Sequence, residues 1–347
     1  MLFHMSIVPP VGRLAQGWSE IAHYGGLGVD VFFVLSGFLI TGILLDARTN
    51  AHYFRNFYAR RILRIFPLYY AVTAFSFVVL PRLAPWTIVK FGPANQDSIW
   101  YWLHLSNFSI ARRGEFIHGI MDVSWSLAIE EQFYLLWPAV VLLTAARRLP
   151  TLCLLLIAGS CASRVLLTLN GTNPIAVYTL TFCRLDGLAL GALIAWTVRR
   201  MPAAELRVWI MRGLVGSLGI LIATLVPLTE SAAAARDAGL VRLLASCVTG
   251  GAILGVVTAP TPIRFFELRP FRALGRLSYG LYLFHYPIAA VLRDKVLPPA
   301  RMPLLFGSSL PSQIIFCMVA TALAFSAALL SWHVYERRFL KLKQWFE

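Results

Sequence analysis

Of 347 residues, 58% are hydrophobic and only 14% charged, with a mean hydropathy of +0.70, a balance that no single water-soluble core can hide. The bilayer is therefore the solvent. Apolar stretches of about 20 residues recur along the whole chain, which excludes one anchor attached to a soluble domain. The formal charge of +15 comes from Lys and Arg lying between those stretches, where cytoplasmic loops collect them. It reads as an orientation signal, with no nucleic acid expected as a partner.

In chain order, hydrophobic windows predict spans near 27–45, 66–83, 124–146, 150–169, 174–198, 208–228, 240–259, 277–297 and 312–335, about nine in all. The fold class expected is all-α: a polytopic transmembrane helical bundle forming one integral domain over 1–347. Basic clusters at Arg55/Arg60/Arg61/Arg64, Arg147/Arg148, Arg199/Arg200/Arg207/Arg212, Arg264/Arg269/Arg272/Arg276 and Arg337/Arg338/Lys341/Lys343 are assigned to the cytoplasmic side. Parity holds if the shorter, more polar segment 98–112 re-enters or lies at the interface instead of crossing. The same parity places the residues before Leu27 outside, so 1–26 read as the end of a truncated first helix plus an external loop. No basic n-region precedes an apolar stretch as in a signal peptide. Cys153, Cys161, Cys183, Cys247 and Cys317 show no CxxC pairing and read as packing residues, with no metal site implied.

Several ionisable residues fall inside these spans. Asp30 lies one turn into GVDVFFVLSGFLIT, where it either faces a partner or wet cavity or caps the helix N-terminus. Asp30, Val34, Gly37 and Thr41 share a helical face. His4 is the candidate base on the same side, since a neutral imidazole can take a hydroxyl proton near neutral pH; taken alone, a histidine beside a chain terminus is usually incidental. In RRILRIFPLYY, Arg60 and Arg64 share a face ahead of Pro67, and planar guanidinium groups suit phosphate oxygens. Topology and anionic-lipid contact are the plainer account of the same residues.

In WSLAIEEQFYLLWP, Ser126, Glu130, Phe133 and Tyr134 fall on one face and Glu131 on another. Glu130 is a candidate for orienting substrate or balancing an Arg. A similar face joins Ser278, Tyr282 and His285. Arg184 and Asp186 are two residues apart and cannot face one another, so each is expected to find a partner on another helix, Glu130 or Asp30 among the choices. Such residues serve as interhelical glue or as substrate contacts. There is no Walker A loop, HExxH, GxSxG or dinucleotide fingerprint.

The strings GVDVFFVLSGFLIT, RRILRIFPLYY, WSLAIEEQFYLLWP and LGRLSYGLYLFHYP, in this order and at these separations, resemble the membrane acyltransferase-3 family, from Gly25 to about Pro287 by motif and beyond by span pattern. The resemblance implies a bacterial inner-membrane, multi-pass enzyme of about ten helices that O-acylates carbohydrates. Cytoplasmic acyl-CoA, usually acetyl-CoA, is implied as co-substrate, with no permanently bound cofactor, and a carbohydrate or lipid-linked glycan as acceptor. It nominates His4 as base, Asp30 as its partner, Arg60, Arg61 and Arg64 as donor-phosphate contacts and Glu130 as a site carboxylate, with Arg184, Asp186, Tyr282 and His285 behind them. The family's first helix also carries an Arg before its His, and here that position falls before Met1. Ser36 would be the nucleophile of an acyl-enzyme route, but no pattern places a base beside it. The competing readings are a transporter or flippase of lipid-linked sugars, which needs the same intramembrane charges, and an inactive N-truncated relative.

Overall fold

The structure is a computed structural model that describes residues 2–83, 94–116, 119–202, 230–258 and 267–346, with a few isolated positions between 205 and 216. Among the described residues there is no strand, only an isolated bridge between Leu305 and Ser308. The helices are α1 (Leu2–Met5), α2 (Arg13–His23), α3 (Gly28–Asp46), α4 (Tyr53–Ala74), α5 (Ala94–Trp102), α6 (Ser106–Arg113), α7 (Ser124–Leu143), α8 (Leu149–Leu169), α9 (Pro174–Thr179), α10 (Leu185–Arg200), α11 (Glu230–Val257), α12 (Arg269–Val291) and α13 (Leu310–Ser331). The rod begun by α4 passes Pro67 and continues through a π-turn at Phe75–Val79 to Leu83.

Six helical stretches among the described residues are long and apolar enough to cross a membrane: Arg13–Asp46, Tyr53–Leu83, Ser124–Leu143, Leu149–Leu169, Leu240–Val257 and Leu310–Trp345. The expected count of about nine is not reproduced, for three separate reasons. Span 208–228 lies almost wholly outside the described residues. Span 174–198 is broken: α9 ends in extended backbone at Leu180, a 3-10 turn covers Thr181–Cys183, and α10 restarts at Leu185. Span 277–297 is helical, but Ser278, Tyr279, Tyr282, His285 and Tyr286 make α12 too polar to stand among the six.

Helix α10 is the centre of the bundle, its Leu188, Ala189, Ala192 and Ala195 carrying no exposed surface. It lies directly on α3 because both helices present glycine at the crossing. A Cβ at Gly37 would overlap the Leu188 carbonyl, and one at Gly191 would overlap the Val34 carbonyl. Small residues of this kind let membrane helices pack backbone to backbone. Around them Phe33, Tyr69, Trp125, Phe133 and Trp137 fill one core. Leu135, Leu136, Leu143 and Leu155 face outward, as side chains do where the surrounding medium is hydrocarbon.

Segment 98–112 is two short helices broken at Leu103–Leu105, with His104 in the left-handed region at φ 54°. His104 stacks on Tyr69 at 4.1 Å and on Phe66 at 5.3 Å between ring centroids. Gln132 donates to the His104 carbonyl at 3.1 Å and to Asn107 Oδ1 at 2.9 Å. The break therefore meets α4 and α7 near their middles.

The two ends of the bundle differ in charge. At one, Arg48 donates to the carbonyls of Leu142 and Thr144, Arg199 grips Asp46 at 2.6 Å, and Arg64 donates to the Arg276 carbonyl at 3.2 Å. At the other lie His4 and the starts of α3, α7 and α10. There Gln313 of α13 holds the N-terminal strand of chain, accepting from Ile7 and Val8 N–H at 3.0 and 2.9 Å and donating to the Met5 carbonyl at 2.7 Å.

Candidate functional site

The basic end opens into a cleft of about 830 Å³ lined by Arg64, Arg269, Arg272, Gly275, Arg276, Leu340 and Lys343. It forms because α12 starts with Arg269, Arg272 and Arg276 close to Arg64 at the middle of α4, while the 3-10 turn Leu342–Trp345 brings Lys343 across the gap. Arg64 is steadied by the rings of Tyr279 and Trp332, each 6.0 Å from its guanidinium carbon, a distance at which cation–π attraction still acts. Of the three arginines singled out on α4, only Arg64 lines this cleft. Arg61 turns toward α7, 5.4 Å from the Tyr134 ring, and Arg60 is exposed at the same end.

Above the cleft, α7 presents the expected face. Its Tyr134 hydroxyl meets Ser36 of α3, and Ser126 hydrogen-bonds Tyr282 of α12 at 2.8 Å. Glu130 lies between them, within the influence of Ser36, Tyr134 and Arg61. Glu131 points elsewhere, and its Oε1 is buried without a hydrogen bond among the described residues. Polar groups thus continue from Arg61 through Glu130 to Tyr282, one helical turn before His285 on the same helix.

At the far end His4 sits 5.4 Å from the ring of His285 and 4.8 Å from that of Tyr286. Nδ1 of His285 is 2.7 Å from the Tyr282 carbonyl and 3.2 Å from that of Leu281. Carbonyls only accept, so Nδ1 carries the proton and Nε2 keeps its lone pair, the form a general base needs. The family resemblance nominated Asp30 as the partner of His4, and the structure sets Asp30 among arginines. The carboxylate of Asp30 faces Arg184 at 3.0 Å and Arg242 at 3.5 Å. The physical reason is burial: Asp30 is 2% exposed, and in such a place a permanent guanidinium is the stronger counterion.

Asp186 pairs with Arg164 at 2.8 Å, and Arg164 also donates to the Cys183 carbonyl at 2.5 Å. Arg184 and Asp186 each find a partner on another helix, as their spacing requires, and for Arg184 it is Asp30 instead of Glu130. Phe33, Trp125 and Tyr178 surround Arg184 with ring centroids 5.2 to 5.8 Å from its guanidinium carbon. Sequence reasoning passed over Arg164 and Arg242, although an arginine inside an apolar span was the available signal. It took Arg269, Arg272, Arg276 and Lys343 as topology alone, since only the fold shows them around one cleft with Arg64. No group of three or more His, Cys, Asp or Glu able to hold a metal occurs among the described residues.

The profile of the family described as an acyltransferase domain matches residues 3–331. Similar proteins include YrhL of Bacillus subtilis (strain 168), 32% identical over 77% of this chain and 44% of that protein. The peptidoglycan O-acetyltransferase OatA of Listeria monocytogenes is 30% identical over 76% of this chain and 45% of its own length. The O-acetyltransferase OatA of Staphylococcus aureus is 30% identical over 76% and 46%. The chain thus corresponds to less than half the length of these relatives. No solved structure matches it. Across nearly its whole length, the chain belongs to the acyltransferase-domain family.

Proposed function

We propose that this member of the family is a membrane O-acetyltransferase, taking an acetyl group from acetyl-CoA at the basic end and delivering it to a glycan hydroxyl at the opposite end. The observation that carries the reading is the polar path between two unlike ends, from a cleft lined with Arg and Lys to a pair of histidines. Phosphates of a nucleotide thioester fit guanidinium groups bidentately, and Arg64, Arg269, Arg272 and Arg276 supply them around one cleft. By the positive-inside rule that end is cytoplasmic, where acyl-CoA is available. The membrane is then the bacterial inner membrane, with the bent segment 98–112 re-entrant from the outer side.

In this mechanism His4, supported by its neighbour His285, accepts the proton of the acceptor hydroxyl as the oxygen attacks the thioester carbonyl. The C–S bond breaks as the new C–O ester bond forms, and CoA leaves as the thiol after protonation. Arg61 and the Glu130, Ser36 and Tyr134 group position the thioester arm between the two ends. The acceptor class follows from the relatives, whose names specify peptidoglycan for the Listeria protein. A flippase has no need of a nucleotide-sized cleft lined by Arg and Lys at the cytoplasmic end.

The test is CoA release from acetyl-CoA by membranes expressing the full chain. Release above empty membranes, abolished by His4→Ala and reduced by His285→Ala, is expected. Equal release by wild type and His4→Ala, or none above empty membranes, overturns the assignment.

A further inference from the structure

The ion-pair cluster at the starts of α3 and α10 is charge-unbalanced among the described residues. It sets three guanidinium groups, Arg164, Arg184 and Arg242, against two carboxylates, Asp30 and Asp186. The groups act on one another: Asp30 bears on Arg164, and both other arginines bear on Arg242. Arg184 has no exposed surface, yet its Nε, Nη1 and Nη2 make no hydrogen bond among the described residues. Asp30 Oδ2 lacks one as well. An uncompensated buried cation is costly unless an anion joins it.

Two further features favour a negative ligand. Helix α10 restarts here, at Leu185, so the N–H groups of its first turn and its positive dipole end add to the excess charge. The site is also reachable. The Arg242 side chain is 25% exposed, and it lies 4.3 Å from the ring centroid of Tyr178, so its outer face is presented from a fixed position.

We propose that Arg242, backed by Arg184, binds an acidic group, carboxylate or phosphate, carried by the acceptor glycan. The proposal rests on the acetyltransferase reading for the word acceptor, but not for the anion site itself. It gives the opposite end of the bundle a means of choosing its substrate: a neutral sugar leaves the cluster unbalanced, whereas an acidic one completes it. The bound anion contributes charge-assisted hydrogen bonds to the Arg242 guanidinium and a counter-charge beside Arg184, whose donors have none among the described residues.

The experiment uses the full chain in phosphatidylcholine nanodiscs, titrated with glucuronate, glucose 6-phosphate and glucose while thermal unfolding is followed, since a ligand of the folded state raises the midpoint. At least one acidic sugar should act at about tenfold lower concentration than glucose. Arg242→Gln and, as a second variant, Arg184→Gln should remove the preference, Arg242→Lys should keep part of it, and Arg199→Gln at the opposite end should keep all of it. A response to glucuronate alone assigns a carboxylate, and one to glucose 6-phosphate alone a phosphate. Equal action of all three sugars on wild type, or a preference surviving in both glutamine variants, overturns the proposal. CoA release is measured on the same discs. Preference without release leaves the anion site standing and removes the acetyltransferase reading, whereas His4-dependent release without preference does the reverse.

Discussion

Asp30→Asn and Arg184→Gln remove opposite halves of one buried ion pair, and their costs should differ sharply. Asp30 is the carboxylate that Arg184 and Arg242 share, at 3.0 and 3.5 Å. Replacing it with the near-isosteric amide leaves both guanidinium groups buried or half-buried without a counterion, and breaking a buried pair in that way costs about 3–5 kcal/mol. Arg184→Gln takes away one of three cations and leaves two facing two carboxylates, with Arg242 still opposite Asp30. Its cost is the loss of a charged contact and some packing, about 2 kcal/mol. The difference of about 2 kcal/mol amounts to about 4 °C in unfolding midpoint at the roughly 2 °C per kcal/mol typical of larger domains. A thiol-reactive dye in nanodiscs reads it directly, because Cys153 and Cys183 carry no exposed surface until the bundle opens. Equal midpoints for the two variants, or a lower midpoint for Arg184→Gln, would refute the charge count on which the cluster is understood.

The glycine crossing makes a second claim. Gly37→Ala places a Cβ against the Leu188 carbonyl, which no rotamer relieves, so α3 and α10 must separate at a cost of about 1–3 kcal/mol or more. Gly159→Ala meets nothing within 4 Å and should purify like wild type; comparable monodisperse yields for both variants would contradict the packing. A third claim concerns the basic cleft: Arg272→Gln should raise KM for acetyl-CoA by up to about fivefold, the scale of one exposed ion pair. KM for S-acetylpantetheine, which lacks the nucleotide, should not change. A shift of the same size for both thioesters would place Arg272 outside the donor site.

How much was legible in the sequence depended on whether a signal was local. Apolar runs located α3, α7, α8 and α13 within a few residues, because a lipid-exposed helix must be continuously apolar. The run at 174–198 was misread as a straight span, since hydropathy does not register the extended backbone at Leu180 that separates α9 from α10. Broken backbone is tolerated at such depth when protein surrounds it, and Ser160 and Asn107 supply that cover by bonding the Phe182 and Thr179 carbonyls at 2.6 and 3.2 Å. Helical spacing correctly placed Ser126 and Tyr134 on one face, now seen against Tyr282 and Ser36. Pairing between distant helices was not legible: nothing local in Asp30 distinguishes Arg184 and Arg242 from His4 as its neighbour.

The broken span explains why the charged cluster can sit where it does. A continuous helix over 174–198 would carry Arg184 and Asp186 two residues apart, about 200° around one axis, and only one of them could face α3. The break at 180–184 makes Arg184 the residue before the first turn of α10, free of helical direction, so its side chain reaches Asp30 while Asp186, inside the first turn, faces Arg164 on α8. One interruption thus serves two ion pairs and brings the start of α10 beside that of α3. The close approach of these helices at Gly37 and Gly191 then fixes their relative height. Loss of the glycine contact should therefore weaken the charged cluster as well as the packing, so that Gly37→Ala and Arg184→Gln combined cost less than the sum of the two alone, a coupling that a double-mutant cycle measures. Strict additivity would mean that the crossing and the cluster are independent, and that the break in the span has no part in holding the charges together.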